Sequence, residues 1–407
     1  MRQPRLLYVA SSFPYGQNDT FFAPEVRELV RQGVDVRAVP VRPRGSLTTS
    51  DAESLSIRKP LLDGEIARAA IAEVVQFPAG TIAAFLLLFR SPSPNVLLRN
   101  ISAFPKALWL ARLARAWQAD HIHAHWAGPP STVALIASRL SGVPWSFTAH
   151  LADIQARNLL YEKSSAAVFV RFIAHAMQDL MRRCAPGVDE SKWIVLRLGI
   201  EVPSTRTGPP PSNDPPIVLF AARFDPEKRH ALLLEAVATL FRDGERLALW
   251  LAGSGRLLPA AKEQAAALGL ESAVRFLGYV PNAEILEWLA AGRIDLVALP
   301  SDWEGIPVSL IEALAHGVPV AATDVGGVAE LIGGGCGLLV PEGDRAALAD
   351  AIRRLLHSAE LREDVSRAGR ARVEREFAVN RVVGELRGLF GFEPEDPRSD
   401  STPARAH

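Results

Sequence analysis

Cysteine is nearly absent. The 407-residue chain has two, Cys184 and Cys336, too few for a disulfide framework or a thiolate zinc site, and a reducing cytoplasm fits. Net charge is absent as well: Lys plus Arg and Asp plus Glu each number 45. This argues against a protein that works by wrapping nucleic acid or coating an anionic membrane. No clean G-x-G-x-x-G and no Walker lysine motif occurs, which counts against NAD-dependent and ATP-hydrolysing chemistry. A long unbroken apolar run is also missing. The nearest approach, residues 71–89, contains Glu73, Gln76, Pro78 and Gly80, so a charge and two breakers interrupt a stretch close to the ~20 residues that span a bilayer. A buried or surface-docked helix is expected there. The apolar run at residues 6–10 is too short for the core of a signal peptide and reads as a buried first strand.

What is present is a globular chain, 48% apolar and 22% charged, whose length exceeds what one hydrophobic core holds, so two domains are expected. Short β-rich apolar runs alternate with helical patterns. In the second half, strands are predicted at 217–222, 247–252, 274–277, 294–299, 318–322 and 337–340, with helices at 230–241, 257–268, 283–290, 307–316, 328–332 and 345–356. In the first half, strands are predicted at 6–10, 34–39, 121–125, 145–149 and 193–196, with helices at 22–32, 105–117, 131–141 and 175–183; residues 41–104 break the rhythm as an insertion. Continuous apolar strands between amphipathic helices make a parallel sheet covered on both faces. The fold class is therefore α/β, with two doubly wound domains at 1–202 and 217–392. They would be joined by a Pro-rich linker at 203–216 and face each other across a cleft, the last helix being free to cross back; the tail 393–407 reads as disordered. Ligands of such sheets bind outside the carboxyl ends of the strands.

Three features fall after strands of the second half. Arg223 and Lys228 follow the strand at 217–222, and a planar guanidinium plus a compact ammonium suits a diphosphate. Lysines number six against 39 arginines, which makes a lysine here less of a background event, although a solvated surface pair is the alternative. Glu304 precedes, and Glu312 lies within, a helix opened by Pro307 and closed by Gly317. Two carboxylates there can accept hydroxyls of a sugar and a ribose, and backbone donors around Gly305 and Ile306 offer an anion site. Paired carboxylates also suggest glycoside hydrolysis, but no sequence neighbour raises either pKa, and the cations favour a phosphorylated ligand. Gly253-Ser254-Gly255 and Gly326-Gly327 are the third feature, either close-approach turns or ordinary connections. His123 and His125 share one strand face and His150 ends the next strand. Without a third ligand at recognisable spacing no metal is expected.

The order Arg223-x4-Lys228, then FLGYVP at 276–281, then E-G-I-P with Glu304 and Glu312, then EALAHGVPVAATDVGGVAELI, resembles glycosyltransferase family 4. In the first half HIHAHWAGPPSTVALIASRLSGVPWSFTAHLADI and FPYGQNDTFFAPEVRELVRQG resemble the subgroup that builds exopolysaccharide, capsule or lipopolysaccharide. The resemblance implies the GT-B fold of two Rossmann-like domains and a retaining, metal-independent enzyme. Its substrates would be a nucleotide-diphosphate sugar and a glycan or lipid-linked acceptor, with no cofactor and no nucleic acid partner. Arg223 and Lys228 would hold the diphosphate, and Glu304, Gly305, Ile306 and Pro307 the donor sugar. Glu312 would hold the ribose, and Gly278, Tyr279 and Val280 would lie along the base. His150 would sit near the reacting face of the sugar, with Gly16, His123, His125 and Asp153 on the acceptor side. The chain departs from the family in Leu151 and Ala222, where glycine is common, in Gly16 standing without a second glycine, and in Asn18-Asp19 for Ser-Glu. An epimerase of the same architecture and a non-catalytic partner subunit are the alternatives. The implied location is cytoplasmic, with a peripheral contact at the inner face of the membrane through Phe77, Phe85, residues 86–89, Arg90, Arg99, Lys106 and Trp109.

Overall fold

The computed structural model describes residues 2–16, 20–47, 55–204 and 213–392. The expectations for Asn18-Asp19, for residues 205–212 of the linker and for the tail 393–407 lie outside the described residues. The chain forms two compact units: residues up to Gly199 with those from Val379 on, and Ile200–Ala378.

In the first unit, β1 (Arg5–Ala10), β2 (Asp35–Pro40), β3 (His121–His125), β4 (Trp145–Ala149), β5 (Val170–Phe172) and β6 (Trp193–Val195) form one sheet in the order β2-β1-β3-β4-β5-β6. All its pairings are parallel. In the second, β7 (Ile217–Ala221), β8 (Ala248–Ala252), β9 (Val274–Gly278), β10 (Leu296–Leu299), β11 (Val320–Thr323) and β12 (Leu338–Val340) run β12-β11-β10-β7-β8-β9, again wholly parallel. The central strands are buried end to end because helices cover both faces. The strand order reverses between β1 and β3 in one sheet and between β7 and β10 in the other, and the carboxyl ends at such reversals are where doubly wound sheets take ligands.

Several expectations need correction. Strand β5 was not foreseen. Its middle residue, Arg171, is buried by a two-pronged pair with Glu25 at 2.6 and 2.8 Å, and a charge in a three-residue run conceals an apolar strand. The helix expected at 105–117 is Pro94–Ala116, with Pro105 inside it and Ser93 capping it; a proline that reads as a helix start is tolerated here in the interior. The stretch 71–89 is not one helix but two, Gly64–Gln76 and a second from Pro78, bent by 113°. Pro78 breaks the run where Phe77 leaves helical geometry. No single helix among the described residues is long and apolar enough to cross a membrane. The last helix, Val379–Leu389, belongs to the first unit, where Phe390 packs on His121 and His123.

Of the residues expected in a surface patch, Lys106 is fully buried and donates to the carbonyls of Pro40, Val41 and Lys59. Trp109, Leu87 and Leu88 are buried too. The large exposed apolar side chains of residues 64–90 are Ile71, Val74, Val75, Phe77, Ile82, Leu86 and Phe89.

Candidate functional site

The carboxyl edge of the second sheet gathers loops far apart in sequence. After β7 the chain runs into a short 3-10 turn, Pro226–Lys228. Phe224 N–H donates to the Ser254 carbonyl after β8 at 2.9 Å. Asp302 N–H, after β10, donates to the Glu227 carbonyl at 2.9 Å, and Arg229 pairs with Asp302 at 2.9 Å. These bonds draw the β7 and β10 loops together at the strand reversal. The glycines make the approach possible: a Cβ on Gly253 would lie 1.9 Å from the Ala222 carbonyl oxygen, and one on Gly255 2.7 Å from Phe224 N. Gly326, at φ +53°, leaves no more room, since its Cβ would sit 1.9 Å from the Glu304 carbonyl oxygen.

The result is a charge pair between half-buried Lys228 and buried Glu304. Lys228 Nζ donates to Glu304 Oε1 at 2.6 Å, and Ser301 Oγ donates to the same oxygen at 2.7 Å. Both bonds fall on Oε1, so Oε2 keeps its lone pairs for hydroxyls. Arg223 is not part of this pair. Its side chain is 69% exposed and is engaged by Asp225 at 3.0 Å and Glu227 at 3.5 Å. Glu312 lies in the helix Val308–Ala315, capped by Pro307 rather than started by it, and accepts Asn282 Nδ2 at 2.9 and 3.2 Å. Its carboxyl is pushed up to about 7 by burial, with Asn282 opposing, which corrects the expectation that nothing raises it. Gly278 has φ +68° and its carbonyl accepts Gly253 N–H at 2.6 Å, while Tyr279 beside it is exposed. Gly305 accepts Gly327 N–H at 2.9 Å, and Ile306 is buried. Ser301 and Asn282 were missed by sequence reasoning, because neither belongs to a motif and each acts through a carboxylate distant in sequence or across a turn.

The carboxyl edge of the first sheet is a hydrogen-bonded histidine array. His150 caps the short helix Leu151–Gln155, and its backbone N–H donates to Asp153 Oδ1 at 2.8 Å. Its Nε2 meets His125 Nε2 at 2.9 Å, and His125 Nδ1 meets the Tyr8 hydroxyl at 2.8 Å. Burial, with Arg171 adding a like charge, lowers the His150 pKa to about 3, and His125 falls well below its ordinary value for the same first reason. Both imidazoles are therefore neutral at pH 7. His123 is taken up by Ser146 at 2.8 Å and Thr148 at 3.0 Å, and His121, on the same face, by Ser146 at 2.8 Å. These two serve as packed, satisfied core groups. Burial raises the Asp153 carboxyl to about 7 against three backbone donors. Gly16, at φ +75°, bonds Ser46 and would clash with the Arg44 carbonyl if it carried a Cβ.

Residues 203–372 match the family model described as Glycosyl transferases group 1. The chain is 29% identical over 400 residues to the amylovoran biosynthesis glycosyltransferase AmsK of Erwinia amylovora, covering 92% of this chain and 96% of that protein. It is 31% identical over 266 residues to the phosphatidyl-myo-inositol mannosyltransferase of Mycobacterium leprae (strain TN), covering 63% and 69%. Among solved structures, Anabaena Alr3699/HepE in complex with UDP and glucose superposes with a TM-score of 0.70 at 17% identity, covering 96% of this chain and all of that one (100%). That last likeness is one of fold: two Rossmann-like units of the GT-B type.

Proposed function

The chain belongs to the group 1 glycosyl transferases and is a glycosyltransferase, and on that premise we propose that it moves a sugar from a nucleotide-diphosphate donor to a glycan or lipid-linked acceptor, with retention at the anomeric carbon. The observation that carries this reading is Lys228 held against Glu304 and Ser301 at the strand reversal of the second sheet. In this reading the ammonium meets the donor diphosphate, and Glu304 Oε2, not used by Lys228 or Ser301, takes hydroxyls of the sugar. As the bond from C1 to the phosphate oxygen breaks, the growing charge on the leaving diphosphate is stabilised by Lys228 and by Arg223. Arg223 exchanges Asp225 and Glu227 for phosphate at little cost, because exposed pairs are weak. The acceptor oxygen bonds to C1 on the same face and its proton passes to the departing phosphate oxygen. Neutral His150, its Nε2 engaged by His125, holds the edge of the first sheet without adding a charge. The cations supply the positive field, so no metal ion or cofactor is required.

The substrates are assigned to surface polysaccharide assembly, on the likeness to the amylovoran enzyme along nearly the whole chain. The exposed Ile71, Val75, Phe77, Ile82, Leu86 and Phe89, with the exposed Arg90 and Arg99, suit a peripheral contact with the inner leaflet, where a lipid-linked acceptor is presented. The test is nucleoside diphosphate release from UDP- and GDP-sugars with and without a lipid-linked acceptor. Release that needs acceptor supports transfer; no release from any donor overturns it, and turnover of donor to an isomer without acceptor points to an epimerase. Failure of the purified chain to bind anionic liposomes at low salt removes the membrane contact.

A further inference from the structure

Trp126 stands immediately after β3, at the strand reversal of the first sheet, and has φ +92°. That conformation favours glycine and strains a bulky side chain, and strain of this kind persists only where the surroundings over-determine it. Here they do. Trp126 N–H donates to the Thr148 carbonyl at 3.0 Å. The next residue, Ala127, donates its N–H to Asp153 Oδ2, while Lys163 Nζ binds the carbonyls of Ala127 at 2.6 Å and Gly128 at 2.9 Å. Asp153 and Lys163 are both buried. Two ionisable side chains withdrawn from water thus brace one two-residue loop whose neighbour is a strained tryptophan.

The loop aims the indole at His150. The rings lie 4.5 Å apart at 43°, and Phe21 meets the indole edge-on at 5.7 Å. Trp126 is half-buried, so a large, rigid residue is partly covered by aromatic neighbours and partly exposed at the carboxyl edge of the sheet, with the buried His150 behind it. An indole π face matches a pyranose, which presents C–H groups on its ring face.

We propose that Trp126 is the stacking platform for the acceptor sugar and a specificity-determining residue of this enzyme, with His150 packed behind the indole. This rests on the transferase reading above, and it assigns that reading's acceptor to the pyranose class.

The test uses the full chain and saturation-transfer NMR with the methyl pyranosides of glucose, galactose and mannose, with UDP and GDP as separate probes of the donor side. The wild type is expected to transfer saturation to ring C–H protons of at least one pyranoside. W126F keeps that signal in reduced form, whereas W126A and W126G lose it at least fivefold, and all variants keep the nucleotide signal. W126G also releases the backbone strain, so it is expected to melt no lower than W126A, which keeps loss of the signal from being ascribed to unfolding. Equal pyranoside signals in wild type and W126G overturn the proposal, as does a wild type that binds nucleotide but no pyranoside. A wild type that binds neither UDP nor GDP overturns the donor reading beneath it.

Discussion

Lys228 Nζ and Glu304 Oε1 lie 2.6 Å apart, although 76 positions separate them in the chain. Neither has another charged partner of opposite sign among the described ion pairs, and Ser301 completes the cluster. On the proposed reading, a cation and a carboxylate so placed act on one donor together. Hydrogen bonds to charged groups are worth roughly 1.5–3 kcal/mol, so Lys228→Met or Arg223→Ala should each lower kcat/KM for donor turnover about tenfold to a hundredfold. The double variant Lys228→Met/Glu304→Gln should lose less than the product of the single losses. Fully multiplicative losses would show that the pair does not function as a unit.

A ribose role for Glu312 predicts that donor binding depends on pH. Its carboxyl titrates at about 7 instead of 4.5 because burial opposes the charge. The protonated form favoured below pH 7 would accept ribose hydroxyls poorly, whereas the carboxylate above it would accept both. Affinity for a UDP-sugar, whose own phosphates do not titrate there, should therefore rise between pH 6 and pH 8, by up to about tenfold for a difference of 1.36 kcal/mol. Calorimetry on Glu312→Gln should give a flat profile. A wild-type affinity that does not change with pH would remove Glu312 from the ribose.

The histidine array couples folding to acid. His121 and His150 are lowered to about 3, and His123 and His125 well below 6.5, in each case chiefly through burial. The unfolded chain binds protons at these groups below about pH 6.5, while the folded chain does not until far lower. Their stabilisation is thus fully present above pH 6.5 and is lost as pH falls from there toward 3, each group contributing about 1.4 kcal/mol per pH unit. Urea midpoints should drop steeply from pH 7 to pH 5, and His123→Gln should flatten the slope by one proton. A slope unchanged in that variant would contradict the burial of a neutral imidazole.

Gly326 controls Glu304 through the backbone. Alanine there would place a methyl 1.9 Å from the Glu304 carbonyl oxygen at a φ of +53°, costing about 1–3 kcal/mol in strain and displacing the carboxylate's own residue. Gly326→Ala should lose tenfold or more in transfer while keeping its far-UV dichroism. Alanine at Gly384, where no atom lies within 4 Å, should change neither. Full activity in Gly326→Ala would mean that the Glu304 loop tolerates the shift.

Much of the scaffold is readable from local pattern. β3 and β4 begin and end where the apolar runs do, and the helix Val328–Ile332 coincides with its predicted range. Where pattern misled, a single residue contradicted its own surroundings. Arg171 hides β5, because its partner Glu25 lies 146 positions away. Pro105 mimics a helix start while standing inside a helix. Lys106 looked like a surface cation, yet three backbone carbonyls hold it in the core.

The amino-acid order alone determined two parallel α/β sheets, the loops after their strands where the candidate site residues fall, and the family to which those loops belong. All of these follow from periodicity and from short spacings along the chain. Only the folded chain decided which charges meet and which protons they hold: Lys228 with Glu304 while Arg223 turns to Asp225, Glu312 titrating near neutrality, and Trp126 forced against His150. Hydrogen bonding and desolvation act over a few ångströms between residues that the sequence keeps tens of positions apart, and no local pattern encodes those distances.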